Sequence, residues 1–401
     1  MRETQNNQNE NKKEADQLNL NLEKEIEHMD RTSGKEFQGY EPVSEKPKKE
    51  KKPKKPKKKK TPKQIVKRVL IVLAVIILVP VAAFFSLRAL GKNFLFSGNV
   101  NMKNAVDGAD VQNNGDLVIY KGHKYRYNEN ITSVLVMGVD REKVNSDEEY
   151  LKEHGAGQAD TMFVAALDTS SNKLSLISIP RDTMADIKMY DEKGKYTGTR
   201  NTQLCLAYAY GDGKELSCTN AVDAVSNVLY GIPIDSYVSI NLSAISILND
   251  AVGGVNVQVI GDLTSVDPDL KEGANVTLLG DQAETYVRTR EHEPLDANLE
   301  RMRRQQQYIT AFIQKGLQET RNDIMLPVDL LNLISDNAVT NVSVPKLTYL
   351  ATEALGVSFS SDDIYSIDCD IKEGDSGYAE YYPDETKLFE LVLDVFYTRI
   401  D

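Results

Sequence analysis

The feature that most constrains this chain is an uncharged apolar run, "VLIVLAVIILVPVAAFFSL", at residues 69–87. Its length of about 19 residues is close to the ~20 that an α-helix needs to cross the hydrocarbon core of a bilayer. The alternatives are a buried core helix and the apolar region of a signal peptide, but the latter is shorter and lies near the N-terminus, whereas this run begins after 68 residues. Pro80 is tolerated in a membrane helix. The sequence therefore predicts one transmembrane helix over residues 65–90.

Charge is distributed unevenly around this run, although the 401-residue chain has a formal net charge of −12. Residues 1–45 carry 6 basic and 11 acidic side chains, and residues 46–68 carry 14 basic and one acidic. The remainder, 69–401, holds 28 basic and 48 acidic side chains, a net charge of −20. Because Lys and Arg gather on the cytoplasmic side of membrane helices, the N-terminus is expected in the cytoplasm. The chain after the helix is then expected outside the cell membrane.

The segment before the helix is poor in large apolar residues. Residues 1–64 are rich in Asn, Glu, Lys and Pro, which predicts a disordered cytoplasmic tail ending in a Lys-rich run. That run lies directly before the helix and has no interleaved aromatic residues. We therefore expect it to meet anionic lipid headgroups and no nucleic acid.

After the helix, strand-like and helix-like segments alternate. Apolar runs rich in β-branched residues at 131–140 and 173–183 are typical of strands. Apolar residues recur every three or four positions in 218–231 and 299–319, which is typical of helices. The alternation predicts an α/β fold with a central mixed sheet flanked by helices, in three α-β-α layers.

Three boundaries follow from the same pattern. Residues 91–128, with Gly and Asn clusters, are predicted to be an extracytoplasmic lead-in to the main domain. The main domain is predicted at 129–330, long enough to bury a core of its own. Residues 331–401 are predicted to be a C-terminal extension packed on that domain.

The cysteine content gives little information about the site. The three cysteines are Cys205, Cys218 and Cys369. In an exported domain an odd number leaves at least one without a partner in the chain, so a Cys205–Cys218 bridge with Cys369 free is one arrangement. The sequence has no Cys/His cluster of the kind that holds structural zinc.

Charged side chains follow or precede three of the predicted strands. Asp140 and Arg141 follow the first, Asp160 precedes the second, and Arg181 and Asp182 follow the third behind Pro180. Taken singly, an Asp at a strand end is more often a turn residue and an Arg a solvated one. If the first and third strands run parallel, however, Asp140 and Arg181 lie at one edge of the sheet, where α/β folds bind ligands, and Asp160 joins them if its loop folds back to that edge. Two carboxylates there could hold Mg²⁺ together with phosphate oxygens.

The segment "YVRTREHEPLDANLERMRRQQQ", 286–307, is unusually rich in arginine. Arg288 and Arg290 point the same way if the chain is extended there, and Arg301 and Gln305 share one helix face. Arginine is suited to bidentate recognition of phosphate. Nearby glutamates leave open whether these arginines bind an anion or are paired on the surface.

The neighbouring Arg303 and Arg304 are predicted to be solvated charges on the helix surface. The chain lacks the Gly-rich P-loop and the GxSxG motif, so neither a nucleoside-triphosphate site nor an α/β-hydrolase site is indicated.

A series of motifs in a fixed order resembles the LytR-CpsA-Psr family of cell-envelope proteins. The resemblance covers residues 128–320 well, is looser to about 370, and is specific because several linked motifs occur together. The motifs are "NITSVLVMGVDR", "ADTMFVAALD", "KLSLISIPRDT", "LAYAYGDG", "GIPIDSYVSINL", "AVGGVNV", "LLGDQAETYVRTRE" and "ERMRRQQQYI". A short cytoplasmic tail and a single helix before the domain are similar to the family as well.

The resemblance implies a membrane-anchored phosphotransferase that works outside the membrane. Such enzymes take a glycopolymer from a polyprenyl-pyrophosphate lipid and join it to peptidoglycan through a phosphodiester. They use Mg²⁺ on the pyrophosphate and a hydrophobic groove for the lipid tail. The apolar helices near 221–230 and 244–252 are candidates for lining that groove, with ordinary core packing as the alternative.

The resemblance also assigns roles to residues. Asp140 and Asp160 look like the metal-binding aspartates, and Gln305 falls where the family places a glutamine. Asp182 follows the family arginine and is a candidate for orienting groups in the site. The arginines that look like pyrophosphate-binding residues are Arg181, Arg288, Arg290 and Arg301.

Two positions depart from the family pattern. Gln158 stands where the family commonly has arginine, and Gln203 stands where it commonly has lysine. Arg141 and Arg200 are candidates to replace the missing cations, as is Lys195. We therefore expect four residues to contact substrate: Arg141, Gln158, Arg200 and Gln203. The departures leave two alternatives open, a hydrolase of the same lipid pyrophosphate and a non-catalytic envelope regulator that binds polyprenyl phosphate.

Overall fold

The computed structural model describes residues 62–96, 98–102, 105–141, 155–191, 193–241, 243–289, 296–374 and 377–401. The first element is a long helix, α1, Pro62–Leu95, with Pro80 inside it. Among the described residues it is the one helix long and apolar enough to cross a membrane, over Val75–Leu95. The expectation of one apolar helix before the domain is confirmed. The helix continues five residues beyond the predicted end at residue 90.

Strands account for much of the described chain after α1. In chain order they are β1 Asp110–Gln112, β2 Leu117–Tyr120, β3 His123–Tyr127, β4 Ile131–Val139, β5 Ala159–Asp168, β6 Lys173–Ile179, β7 Met184–Tyr190, β8 Tyr196–Gln203, β9 Ser236–Asn241, β10 Val255–Gln258, β11 Asn275–Leu278, β12 Ala338–Thr340, β13 Ile364–Ser366, β14 Cys369–Glu373, β15 Ala379–Pro383 and β16 Tyr397–Arg399.

Helices cover the sheet and form one wall of the pocket described below. In chain order they are α2 Leu206–Ala209, α3 Glu215–Val228, α4 Ser243–Ala251, α5 Asp281–Arg288, α6 Asp296–Asn322, α7 Leu326–Leu333, α8 Val344–Ala354 and α9 Glu385–Phe396, with short 3₁₀ turns at Asn113–Gly115, Ser335–Asn337 and Ser361–Asp363.

The central sheet has six strands in the order β12-β9-β4-β5-β6-β13. The pairs β9–β4 and β6–β13 are parallel, whereas β12–β9, β4–β5 and β5–β6 are antiparallel. The sheet is therefore mixed and flanked by helices, which confirms the predicted fold class. Successive side chains of a strand point to opposite faces, so each face of this sheet can serve a different purpose.

Strand β4 shows this division. Leu135 and Met137 are fully buried in the main core cluster, which also holds Phe389 and Val392 of α9. Val136 and Gly138, which alternate with them, line a pocket on the other face. The sequence "VLVMG" of this central strand is apolar on both sides because one face packs against protein and the other surrounds a cavity.

The described residues before and after the predicted main domain are built into it rather than appended to it. β12 and β13, from the predicted C-terminal extension, form the two edges of the central sheet. β16 pairs with β3 in a four-stranded sheet that also contains β1 and β2. The lead-in and the extension thus contribute to one structure with 129–330. The predicted tail, apart from residues 62–64, lies outside the described residues.

The cysteines are not paired. Cys205, Cys218 and Cys369 are all free thiols, so the suggested Cys205–Cys218 bridge is wrong. Burial raises the pKa of the Cys205 thiol to about 11 and that of Cys218 to about 12. Both thiols are therefore protonated near neutral pH and pack as small apolar side chains.

One partly buried carboxyl group makes the stability of the fold depend on pH. Burial raises the pKa of Asp235 to about 6, although Ser133 N–H and the Thr132 hydroxyl donate to it at 2.9 and 3.1 Å and the Lys346 ammonium lies nearby. The folded state then holds this proton more tightly than the unfolded chain does. The contribution of this group to stability is complete at acidic pH and is lost as pH rises through about 6.

We expect Asp235→Asn to remove this dependence. The free energy of unfolding of the variant, taken relative to that of the wild type, should rise by about 2 kcal/mol as the pH increases from about 4.5 to about 7.5. Urea unfolding at both pH values measures the difference. An equal effect of the substitution at both would show that Asp235 does not titrate between them.

Candidate functional site

The charged residues at the strand ends lie at one edge of the central sheet. β4 and β6 both run antiparallel to β5, so they point in the same direction. Asp140 follows β4, Arg181 follows β6, and Asp160 is the second residue of β5. The condition that the sequence analysis left open, parallel directions of the first and third strands, is therefore met.

An irregularity in strand pairing sets the position of Asp160. Gly138 pairs with Thr161 and Val139 pairs with Ala159, which leaves Asp160 as an extra residue in a β-bulge. A bulge locally twists a strand and redirects the side chain at that position. Asp160 therefore lines the pocket at the sheet edge.

Arg181 is the centre of a polar network. Its guanidinium forms an ion pair with Asp160, donates to Gln158 Oε1 at 3.0 Å, and lies 3.5 Å from Asp182 Oδ1. Gln158 also connects to the other carboxylate, since its backbone N–H donates to Asp140 Oδ1 at 2.6 Å. The two aspartates and the arginine are thus held in one arrangement by a neutral glutamine between them.

The surroundings of Asp160 disfavour its charged form. Partial burial, with the charge of Asp140, raises the pKa of Asp160 against the opposing charges of Arg181 and Arg301. A carboxylate that neighbours another at the edge of a cavity attracts cations.

The opposite wall of the pocket comes from α5 and α6. Arg288, Arg301 and Gln305 line it. Arg288 is more than half exposed and pairs with Glu284, one turn earlier on α5, at 2.5 Å. Gln305 donates to the carbonyl of Val287 at 3.1 Å and so connects α6 to the end of α5. Arg290 lies outside the described residues.

The pocket has a volume of about 450 Å³ and combines these charged groups with a largely apolar lining. The apolar residues come from β4, β5, β9, α4, α5 and α6; they are Val136, Val139, Phe163, Ile240, Ile245, Leu248, Val287, Tyr308, Ile309 and Phe312. Such a lining suits a ligand with one anionic end and one hydrocarbon end.

Most of these apolar residues were not among the predicted site residues, although the sequence carries one signal for them. Arg301, Gln305, Tyr308 and Phe312 are spaced by four, three and four, so they form one stripe along α6. Extending the predicted Arg301–Gln305 face by two turns would have found the aromatic part of the pocket. Of the two apolar helices suggested for the groove, α4 contributes Ile245 and Leu248, whereas α3 supplies Ala221 and Val225 to the main core.

Arg304 was predicted to be a surface residue, and this prediction is wrong. Its side chain is 1% exposed. It donates to the carbonyls of Tyr286 at 2.9 Å and Ile260 at 3.5 Å, and to that of Thr289. Tyr286 and Thr289 lie at the end of α5, and Ile260 follows β10. The buried guanidinium of Arg304 therefore connects α6 to both of these segments. Arg303, one position earlier, is exposed as predicted.

Four residues proposed to contact substrate lie beside the pocket or away from it. Arg141 is 6% exposed and donates to the carbonyl of Ala156 at 3.2 Å. Gln158 contacts Arg181, as described. Arg200 is exposed on the β7–β8 hairpin, opposite Ile187. Gln203 donates to the carbonyl of Ala379 at 3.1 Å and so ties that hairpin to β15.

Comparison with known families shows which family the chain belongs to. The sequence profile described as LytR_cpsA_psr family matches residues 95–393, three quarters of the chain. The chain belongs to the LytR_cpsA_psr family. The family match begins at the end of α1 and runs into α9, so it includes the lead-in and most of the C-terminal extension.

Curated relatives in this family carry an enzymatic name. A protein from Bacillus anthracis named polyisoprenyl-teichoic acid–peptidoglycan teichoic acid transferase TagU is 29% identical over 276 residues, 69% of this chain and 80% of that protein. A protein of the same name from Enterococcus faecalis is 32% identical over 221 residues, 55% of this chain and 65% of that protein.

One solved structure shares the fold of the present chain. The crystal structure of protein gbs0355 from Streptococcus agalactiae has a TM-score of 0.51 and 23% sequence identity. The likeness covers 68% of this chain and 90% of that one.

Proposed function

We propose that this protein is a membrane-anchored phosphotransferase that joins a glycopolymer, carried on a polyprenyl-pyrophosphate lipid, to peptidoglycan through a phosphodiester. One observation carries the proposal: a single pocket has Asp140, Asp160, Arg181, Arg288 and Arg301 together with a deep apolar lining. A polyprenyl pyrophosphate has the same division into a compact anion and a long hydrocarbon chain. The names of the curated relatives describe the same class of reaction.

The reaction exchanges the phosphoanhydride bond of the pyrophosphate for a new phosphate ester bond. A sugar hydroxyl of peptidoglycan attacks the phosphorus that carries the glycopolymer, and the bond between the two phosphates breaks. The hydroxyl loses its proton and polyprenyl monophosphate leaves. Negative charge grows on the leaving phosphate, and fixed guanidinium donors stabilise that charge in the transition state. Arg181, Arg288 and Arg301 would supply those donors from two walls of the pocket.

The apolar part of the pocket would bind the lipid. Tyr308, Ile309 and Phe312 of α6 face Ile245 and Leu248 of α4 across the cavity that holds the charged residues. Burying hydrocarbon there contributes roughly 25 cal/mol per Å² of apolar surface. The same helix, α6, thus presents Arg301 and Gln305 to the anion and its next turns to the lipid chain.

Asp140 and Asp160 fit Mg²⁺ by their donor chemistry. Within the described residues, Asp140 Oδ1 accepts from Gln158 and Asp160 Oδ1 pairs with Arg181, which leaves the Oδ2 atom of each without a hydrogen bond. Mg²⁺ commonly binds one or two carboxylates plus substrate phosphate oxygens. When bound, the ion would neutralise charge on the pyrophosphate. Arg181 would then exchange its carboxylate partner for phosphate oxygen.

The proposed location follows from the anchor. The Lys-rich run before α1 would hold the N-terminus in the cytoplasm and place the pocket outside the cell membrane. There the domain meets both the lipid carrier and peptidoglycan. Anchoring raises the effective concentration of the lipid donor.

The test incubates the full-length protein in vesicles with a lipid-pyrophosphate-linked saccharide, Mg²⁺ and a peptidoglycan oligosaccharide, and identifies products by mass spectrometry. We expect a phosphodiester-linked saccharide–peptidoglycan product, and we expect a chelator to stop its formation. Free saccharide phosphate would instead indicate the hydrolase. Bound lipid without turnover would support the regulator and exclude both enzymes.

A further inference from the structure

One side of the last turns of α1 is covered by the domain. The covered positions follow a spacing of four, three and four, which is a single helical stripe. They are Phe84, Arg88, Gly91 and Leu95. Leu95 is fully buried, whereas Leu90 and Phe94, on the other side, are about half exposed.

Arg88 makes three contacts with α8. Its Nε donates to Thr352 Oγ1 at 3.1 Å, its guanidinium forms an ion pair with Glu353, and it lies 5.1 Å from the ring centroid of Tyr349. The Glu353 side chain is only 13% exposed. An arginine held at three points fixes both the distance and the rotation of one helix against the other.

Gly91 lets the two helices touch. A Cβ atom at this position would lie 1.9 Å from the carbonyl oxygen of Pro345, the second residue of α8. No side chain larger than hydrogen fits without moving the backbone. One turn further, the rings of Phe96 and Tyr349 pack edge to face with centroids 5.8 Å apart.

The contact begins where the apolar run ends. The uncharged run of α1 stops at Leu87, and Arg88 is the next residue. The helix does not break before Leu95, so no flexible linker separates the apolar run from the contact with α8. At 1.5 Å per residue, the eight residues from Arg88 to Leu95 extend only about 12 Å.

We propose that the last turns of α1 and helix α8 form a fixed joint that holds the domain at one height and orientation on the lipid bilayer. The joint consists of Arg88 and Gly91 on α1, Phe96 directly after α1, and Pro345, Tyr349, Thr352 and Glu353 on α8. Leu90 does not belong to the joint, is about half exposed, and lies near the end of the candidate span Val75–Leu95, where apolar side chains can enter the headgroup region. The bilayer surface is therefore the partner of this side of the molecule.

A distance measurement tests the joint without reference to catalysis. Nitroxide labels at Asn93→Cys and Ser343→Cys, both exposed, are measured by pulsed electron paramagnetic resonance in full-length protein in nanodiscs, with Cys369→Ser to prevent labelling there. We expect a single narrow distance distribution. Gly91→Ala should broaden it, because alanine favours the helix but cannot fit against Pro345. Leu90→Ala is the matched control and should leave it narrow.

A charge exchange provides a second test. Arg88→Glu should broaden the distribution, and Arg88→Glu combined with Glu353→Arg should narrow it again. A broad distribution in the wild type, or a narrow one in both Gly91→Ala and Arg88→Glu, would overturn the proposed joint.

The consequence for activity rests on the proposed function. We expect Gly91→Ala to lower transfer from a vesicle-embedded donor by about 10-fold and to leave transfer from a short-chain, water-soluble donor within about twofold. Equal losses with both donors would overturn the orienting role. If the wild type transfers glycopolymer from neither donor, the proposed function fails. The distances between the nitroxide labels still decide whether the joint exists.

Discussion

Arg181→Ala is expected to lower glycopolymer transfer by about 10²–10³-fold, the usual cost of removing one preorganised donor from a charged transition state. Arg181 is the residue that contacts Asp160, Gln158 and Asp182 together. Without it, Asp160 loses its ion-pair partner while the charge of Asp140 remains nearby. Initial rates with the lipid-linked saccharide and a peptidoglycan acceptor measure the loss.

The fold should survive this substitution, because the Arg181 side chain is 38% exposed and its ion pair is partly solvated. We therefore expect an unchanged thermal midpoint by circular dichroism. Arg181→Lys should recover only part of the activity, since one ammonium cannot reproduce the planar guanidinium that reaches Asp160 and Gln158 together. Arg303→Ala, an exposed arginine outside the pocket lining, is the control. Wild-type rates in Arg181→Ala would remove this residue from the mechanism.

Arg304→Ala is expected to lower the free energy of unfolding by about 3–5 kcal/mol, because buried carbonyl groups lose a charged donor and a cavity forms. The carbonyls of Tyr286, Ile260 and Thr289 all accept from this side chain. Urea unfolding of the full-length protein in detergent, followed by circular dichroism, measures the change. Tyrosine fluorescence gives a second probe, since the chain has 19 tyrosines and no tryptophan.

Arg303→Ala is the matched control for stability, because it removes the same side chain one position earlier on the same helix. It should change the free energy of unfolding by less than about 0.5 kcal/mol, as exposed substitutions usually do. Arg304→Lys should fall between the two, since a single ammonium cannot reach three carbonyls in different directions. Equal stability of the two alanine variants would contradict the structural role given to Arg304.

The arginines of α6 have three different surroundings, and Arg304 also differs from Arg181 in its expected role. Arg301 and Gln305 face the pocket, Arg304 connects α6 to α5 and to the chain after β10, and Arg303 faces solvent. Loss of activity with a stable fold is expected at Arg181, whereas loss of stability is expected at Arg304. Because α6 also carries pocket residues, destabilising its attachment at Arg304 should reduce transfer as a secondary effect.

The sequence alone determined the features that depend on local composition. An uncharged run of apolar residues is readable as a membrane helix, and alternating strand and helix periodicities are readable as an α/β sheet with helices around it. The positions of Asp140, Asp160 and Arg181 at strand ends were also readable, because strands end where apolar alternation stops. These signals need no knowledge of which elements become neighbours.

Tertiary structure decided what depends on neighbours distant in the chain. Adjacent helix residues differ by about 100° in direction, so Arg303 and Arg304 are equivalent in sequence until the chain after β10 packs on one side of α6. Whether Cys205 and Cys218 form a disulfide also depends on how the fold places them, and both thiols are free. The bulge at Asp160, the aromatic lining from α6 and the close contact of Gly91 with Pro345 all arise from packing between segments, which a pattern along one chain does not encode.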